Sequence, residues 1–347
     1  MQALKILKSS RIEFFKNKKF FIDEVSFSKN VFIPLSNACR NRCAYCGFVS
    51  ENPDILDKRK VKSILELGAK YKCREALFTM GEKPESNKKI KKKLKKFGYS
   101  STIEYLYDLC REALKYKLLP HSNVGVASME ELKALREVNA SLGLMLENVS
   151  ERLCAKGMPH EHSPGKNPKL RIKTIELAGK LKIPFTTGLL IGIGETYDEI
   201  YESLLCIREL NEKYGHIQEV IIQNFKPKKG TPMENFKEPS TFKLLKVTYA
   251  SRVLLETLGI QVPPNLNKRW QLFLFYGAND LGGVSPATID YINPEAPWPR
   301  IEELRRKTNK LGIRLKERLP IYEKFIEKGW YSEEVGEIID DNKSKIC

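Results

Sequence analysis

Residues 31–48 read VFIPLSNACRNRCAYCGF, and this stretch decides the fold. Its first five residues, Val31–Leu35, form an apolar run of strand length and composition. The chain then passes directly into three cysteines, Cys39, Cys43 and Cys46, packed into eight residues. Three thiols separated by three and then two residues suit a cubane that takes one thiolate per iron, and they leave the fourth iron without a protein ligand. Structural zinc instead wants four protein ligands, usually two pairs spread over two loops. No second Cys or His pair stands at such a spacing; His160 and His162 are near each other but lie among loop residues.

Outward from this loop, short apolar runs alternate with segments of helical period. The strands predicted are Val31–Leu35, Ala76–Thr79, Leu118–Asn123, Leu142–Leu146, Phe185–Ile191, Glu219–Gln223 and Gln271–Phe275. Between them fall helices over Val61–Tyr71, Ile103–Lys117, Met129–Val138, Lys169–Leu181, Tyr197–Tyr214 and Thr241–Leu258. Such alternation specifies repeated βα units and a parallel sheet, which right-handed crossovers close into a partial or complete TIM-type α/β barrel. Chemistry in that architecture sits at the carboxyl ends of the strands, where the cysteine loop falls. The division expected is an N-terminal extension over 1–29, a core over 30–260, and a barrel-completing segment over 261–347 that carries a substrate loop and C-terminal helices. The lead-in holds the aromatic pairs Phe14–Phe15 and Phe20–Phe21, read as a helix or strand on the barrel's outside, and the run KKIKKKLKK (Lys88–Lys96) is read as a solvated helix or loop, with an anion-binding patch as its alternative.

Composition narrows the function classes. With 41% hydrophobic and 30% charged residues the chain is a folded globular protein rather than a disordered one. Its formal charge of +17 raises a nucleic-acid or acidic-membrane reading. The excess is, however, dispersed with Glu interleaved, as over Lys58–Lys72 and Arg300–Lys316, so no nucleic-acid partner is expected. No apolar run approaches the length that spans a bilayer, and the basic start lacks the apolar stretch of a signal peptide, so a cytoplasmic location with no membrane partner is expected. Cys73, Cys110, Cys154, Cys206 and Cys347 are scattered; the first four read as small buried hydrophobes.

A Cys-x3-Cys-x2-Cys loop after the first strand of a βα barrel resembles the radical S-adenosylmethionine (SAM) superfamily, and the resemblance runs from Asn30 to Gly259. It implies one 4Fe-4S cluster held by Cys39, Cys43, Cys46 and SAM itself. One-electron reduction then cleaves SAM to methionine and a 5′-deoxyadenosyl radical, which abstracts hydrogen from the substrate. Carried over by position, Tyr45 matches the aromatic that packs on adenine. FTMGE (Phe78–Glu82) resembles the glycine-rich GGE turn, with Met80 in place of the first glycine and Gly81 and Glu82 kept. Ser122 and Asn123 are assigned to ribose or substrate, Glu147 to SAM, and Arg171 to the SAM carboxylate, for which a planar bidentate donor is suited. TGLLIGIGET (Thr187–Thr196) resembles the element that packs adenine, with Gly192 and Gly194 serving either that contact or only a tight turn.

The stretch YGANDLGGVSPATIDYINPEAPWP (Tyr276–Pro299) is similar to deazaflavin synthases of the CofG type, as are CGFVSENPD and LFTMGEKPE. Long irregular segments of this kind inside compact domains are usually functional. The resemblance implies a lyase that abstracts hydrogen from the adduct of a tyrosine-derived 4-hydroxybenzyl group and 5-amino-6-ribitylaminouracil. It then cyclises that adduct with loss of ammonia to 7,8-didemethyl-8-hydroxy-5-deazariboflavin. The implied partners are a CofH-type subunit that supplies the adduct and an electron donor such as ferredoxin or flavodoxin. Asn279, Asp280, Ser285, Thr288 and Asp290 are assigned to the ribityl and pyrimidine groups, with loop-internal hydrogen bonding as their alternative. The rivals are another radical SAM enzyme, of the futalosine or biotin synthase type, and a basic iron–sulfur protein acting on tRNA, for which no RNA-binding module is found.

Overall fold

The computed structural model describes residues 1–16 and 19–345; Cys347 lies outside the described residues. Eight parallel strands close a barrel: β1 (Glu24–Ser36), β2 (Glu75–Met80), β3 (Leu119–Asn123), β4 (Ser141–Gly143), β5 (Phe185–Ile191), β6 (Ile217–Asn224), β7 (Gly259–Gln261) and β8 (Asp280–Val284). Closure rests on the 13-residue β1, which pairs with β2 through Asn30–Ser36 and with β8 through Ser26–Lys29. A ninth strand, β9 (Arg314–Arg318), pairs in parallel with the lower half of β1, Glu24–Ser28.

In chain order the helices are α1 (Gln2–Lys8), α2 (Arg11–Phe15), α3 (Lys58–Lys70), α4 (Lys88–Phe97), α5 (Thr102–Lys115), α6 (Met129–Arg136), α7 (Pro168–Lys180), α8 (Tyr197–Tyr214), α9 (Thr241–Leu254), α10 (Trp270–Leu274), α11 (Ile301–Asn309), α12 (Glu323–Ile326) and α13 (Glu333–Lys343). Their starts are written in the sequence. Ser128 and Thr196 form capping boxes with Glu131 and Glu199, and Asp57, Asn87, Ser101 and Ser240 each accept a first-turn N–H. The aromatic lead-in packs outside the barrel, where Phe14 meets Phe242, Tyr249 and Tyr276. The Lys88–Lys96 run is helix α4, anchored by the buried Ile90 and Leu94. No helix among the described residues is long and apolar enough to cross a membrane.

Three departures from the sequence reading have physical reasons. Gln271–Phe275 is not a strand but lies in and after α10, because a short apolar run carries no period that separates strand from buried helix. The seventh strand is instead GIQ, too short to register, and the eighth is DLGGV, whose glycines hide its strand character. The barrel also starts at Glu24 and closes through Asp280–Val284, so the boundaries at 29/30 and 260/261 do not follow the sheet.

The amino-terminal end of the barrel is plugged by charge. Arg318, at the end of β9, reaches Asp280 at 2.6 Å and Glu219 at 3.0 Å, while the Tyr322 hydroxyl donates to Asp280 at 2.7 Å. Glu75 accepts from Ser28 in the same buried layer. Burial, with Asp280 and Glu75 nearby, pushes Glu219 up to about 8 against the pull of Arg318. Asp280 is held below the usual range in spite of burial, by Arg318 and three hydrogen bonds. Glu219 therefore favours the fold when protonated, a contribution fully present below its unfolded value near 4.5 and lost as pH rises through about 8. The unfolding temperature should fall between about pH 5 and pH 8 in the native chain and level off above that, and Glu219→Gln should flatten the slope; an unchanged slope would remove Glu219 as its source.

Candidate active site

A cavity of about 390 Å³ occupies the barrel interior from the cysteine loop down to the charged plug. Cys39, Cys43 and Cys46 all line it, at the carboxyl end of β1. Their loop is pinned on three sides through backbone bonds: Arg40 N to Glu82 O, Arg42 N to His162 O, and Ala44 N to Pro159 O, each at 2.9 Å. The sulfurs are drawn into the same network. Cys39 Sγ accepts N–H from Asn41 at 3.3 Å and from Glu82 at 3.1 Å, and the Ser163 hydroxyl donates to Cys43 Sγ at 3.3 Å. Burial pushes the Cys43 thiol up to about 11, opposed by Lys166, so a bound metal centre would supply the positive charge a thiolate needs there. Among the described residues no three Cys, His, Asp or Glu side chains converge on one point as direct ligation of a single ion requires. Three thiols on one loop that line the same cavity, each able to take a separate iron, are a donor set whose chemistry suits a cubane.

Beside the thiols lies a buried polar group centred on Glu147. Its backbone sits at φ +67°, a left-handed conformation that turns the chain after β4 toward the cavity. Tyr45 donates its hydroxyl to Glu147 Oε2 at 2.5 Å, and His160 Nε2 stands 2.9 Å from the same hydroxyl. Burial drops His160 to about 4, so it is neutral and its Nε2–H donates to Tyr45. Lys166 forms an ion pair with Glu147. In spite of burial, Lys166 and Arg171 hold Glu147 down at about 2. Arg171 is spent on the frame: it donates to Met145 O at 2.6 Å and Gly165 O at 2.9 Å, with Glu147 and Glu82 each 3.8 Å away. Glu82 takes Arg40 at 2.6 Å and Val126 N at 2.9 Å. Gly81 admits no side chain, since a Cβ there would lie 2.0 Å from Ala38 O and 2.6 Å from Cys39 Cβ.

The structure thus gathers Cys39, Cys43, Cys46, Tyr45, Gly81, Glu82, Asn123, Glu147, Arg171 and Asp290 around one cavity. It turns the other assigned residues elsewhere. Ser122 faces the helix layer, donating to Asn139 at 2.7 Å, because strand residues alternate and its neighbours His121 and Asn123 take the interior. Gly192 and Gly194, at φ +104° and +106°, make the turn before α8, where Glu195 accepts the N–H of Gly192 and Ile193. Asn279 holds Ile260 N at 2.8 Å, Asp280 is the barrel plug, and Ser285 and Thr288 bond each other and, through Thr288, Phe32 N. Asp290 lines the cavity, but its oxygens brace Asn265, Ile292 and Asn293. Sequence reasoning missed Lys166, His121, Asn30 and Trp298, and set His160 aside among loop residues; of those missed, only His121 had a signal, in the period of β3. Asp290→Ala should leave the thiol loop intact while loosening this wall, raising KM for the substrate several-fold with cluster content unchanged. Asn279→Ala should instead leave turnover unaltered and cost about 1 kcal/mol of stability by denaturant unfolding. The reverse pattern would exchange their roles.

A closed parallel barrel with three thiols at the mouth of its cavity, and a donor set suited to a cubane, defines a class of cluster-bearing barrel enzymes. The sequence profile of the Radical SAM superfamily matches residues 33–207. The 7,8-didemethyl-8-hydroxy-5-deazariboflavin synthase of Methanocaldococcus jannaschii is 58% identical over 321 residues, covering 92% of this chain and 89% of that protein. The enzyme of the same name from Methanopyrus kandleri is 52% identical over 323 residues, covering 91% and 97%. The chain belongs to the radical SAM superfamily and, within it, to the family of the 7,8-didemethyl-8-hydroxy-5-deazariboflavin synthases. The fold is shared with methylornithine synthase PylB (TM-score 0.67, 19% identity, covering 91% of this chain and 87% of that one). It is shared also with the hydrogenase maturase HydG (TM-score 0.73, 15% identity, covering 96% and 74%).

Proposed function

We propose that this enzyme abstracts hydrogen from the 4-hydroxybenzyl–ribitylaminouracil adduct and closes it, with loss of ammonia, to 7,8-didemethyl-8-hydroxy-5-deazariboflavin. The observation that carries the reading is identity of 58% sustained over 92% of the chain to an enzyme of that name. Cys39, Cys43 and Cys46 would hold a 4Fe-4S cluster, which together with SAM would supply the hydrogen-abstracting power. The chain's own residues hold and shield it. Tyr45 and Gly81 border the space beside the thiols, the Lys166–Glu147 pair presents fixed charge to a zwitterionic ligand, and Arg171 and Glu82 keep those groups in place. Below them Asn123, His121 and Asn265 offer hydrogen bonds to a polyol and imide substrate, while Phe32 and Trp298 flank it with aromatic surface. A closed floor and buried walls exclude water, as radical chemistry requires.

The adduct comes in this reading from a CofH-type partner subunit, the electron from a reduced carrier protein, and the work is done in the cytoplasm. The test is anaerobic turnover of reconstituted protein with SAM, reductant and adduct. Deazaflavin fluorescence accompanied by 5′-deoxyadenosine is expected. Deoxyadenosine with a different product would move the chain to another reaction of the superfamily.

A further inference from the structure

We propose that the lysine face of α4 is the docking surface for a small acidic one-electron carrier protein; this rests on the reading of the neighbouring thiols as a cluster that must be reduced. The helix carries seven lysines and no acidic residue. Ile90 and Leu94 bury one side, and six of the lysines are exposed. In α11, by contrast, basic residues share the helix with acids, and Lys307 pairs with Glu303 at 2.6 Å. In α4 the lysines instead stand three and four apart from one another, so like charges repel along the helix and work against its stability. A solvated face needs no such arrangement.

The helix lies against the segment that carries the thiols. Lys93 pairs with Asp54 at 2.5 Å, and Asp54 N donates to Asn37 Oδ1 at 2.7 Å, two residues before Cys39. Lys89 reaches Asn52 Oδ1 at 2.6 Å in the same loop after Cys46. The exposed Arg42, whose guanidinium donates to Cys39 O at 2.7 Å, extends the positive field over the thiol loop itself. A positive face one hydrogen-bonded residue away from Asn37 orients an anionic partner with its redox centre toward the thiols, and steers its approach. One electron passes from the reduced carrier to the cluster, leaving the carrier oxidised; no bond forms or breaks at the surface. A nucleic acid would also be attracted to such charge, but the reaction gives it nothing to do beside the cluster.

The test uses the full-length reconstituted enzyme and a triple variant, Lys88→Glu/Lys92→Glu/Lys96→Glu, whose exposed side chains lie outside the cavity. Deoxyadenosine formation is measured with dithionite and with reduced flavodoxin as donors. The expected result is unchanged dithionite-driven turnover, with KM for flavodoxin raised about tenfold at low ionic strength and the difference shrinking as salt is added. Binding of oxidised flavodoxin, measured without turnover, should weaken in parallel. Unchanged flavodoxin KM and binding would overturn the proposal, and so would a variant that loses only retention on RNA or on anionic vesicles. Native enzyme that forms no deoxyadenosine with dithionite would instead sink the functional reading beneath it.

Discussion

Replacing any one of Cys39, Cys43 and Cys46 by alanine is expected to abolish the iron–sulfur absorbance of the reconstituted protein and SAM cleavage together. In the proposed cluster each thiolate would serve a different iron, so the two remaining ligands would leave a second iron without protein support. The loss should be local. The thiols sit at the cavity mouth, above a barrel whose core includes the buried Val31, Ile33 and Leu35 of β1, so cooperative unfolding should survive in each variant. Cys206→Ala, on the outer helix α8, serves as the control and should keep cluster and turnover. A cysteine-loop variant that retained both spectrum and cleavage would refute the ligand assignment.

Gly81→Ala should be nearly as damaging for a wholly steric reason. The added Cβ would meet Ala38 O at 2.0 Å and Cys39 Cβ at 2.6 Å. These are backbone and the root of a ligand side chain, neither of which swings aside, so the thiol loop must move. A displacement of about 1 Å at a reacting centre lowers rate by about 10²-fold. We expect depleted cluster and a loss of deoxyadenosine formation of that order, with the melting transition preserved. Full cluster content and turnover in Gly81→Ala would show that the loop has freedom that the packing denies it.

Much of this site was legible before the fold because its parts are local. The cysteines follow β1 without a break, and Gly81 and Glu82 follow β2 directly, so strand ends placed them. What was illegible depended on register or on distant partners. Ser122 and Asn123 are adjacent and polar, yet the pleat sends one to Asn139 in the helix layer and the other to the cavity. Asp280 reads as a ligand in a polar, glycine-rich stretch, but its partner Arg318 lies 38 residues on, in a ninth strand with no sequence signal. His160 and Lys166 come from an irregular segment with no period, and only the fold carries them to Glu147.

The most direct test of the central claim is electron paramagnetic resonance of the reduced, reconstituted protein with and without SAM. A three-thiolate cluster with one open iron should give a single 4Fe-4S signal per chain that shifts on adding SAM, and the cysteine-loop variants should lack it. A four-iron signal indifferent to SAM would mean that the fourth iron is already ligated and that the cavity beside Glu147 serves some other ligand.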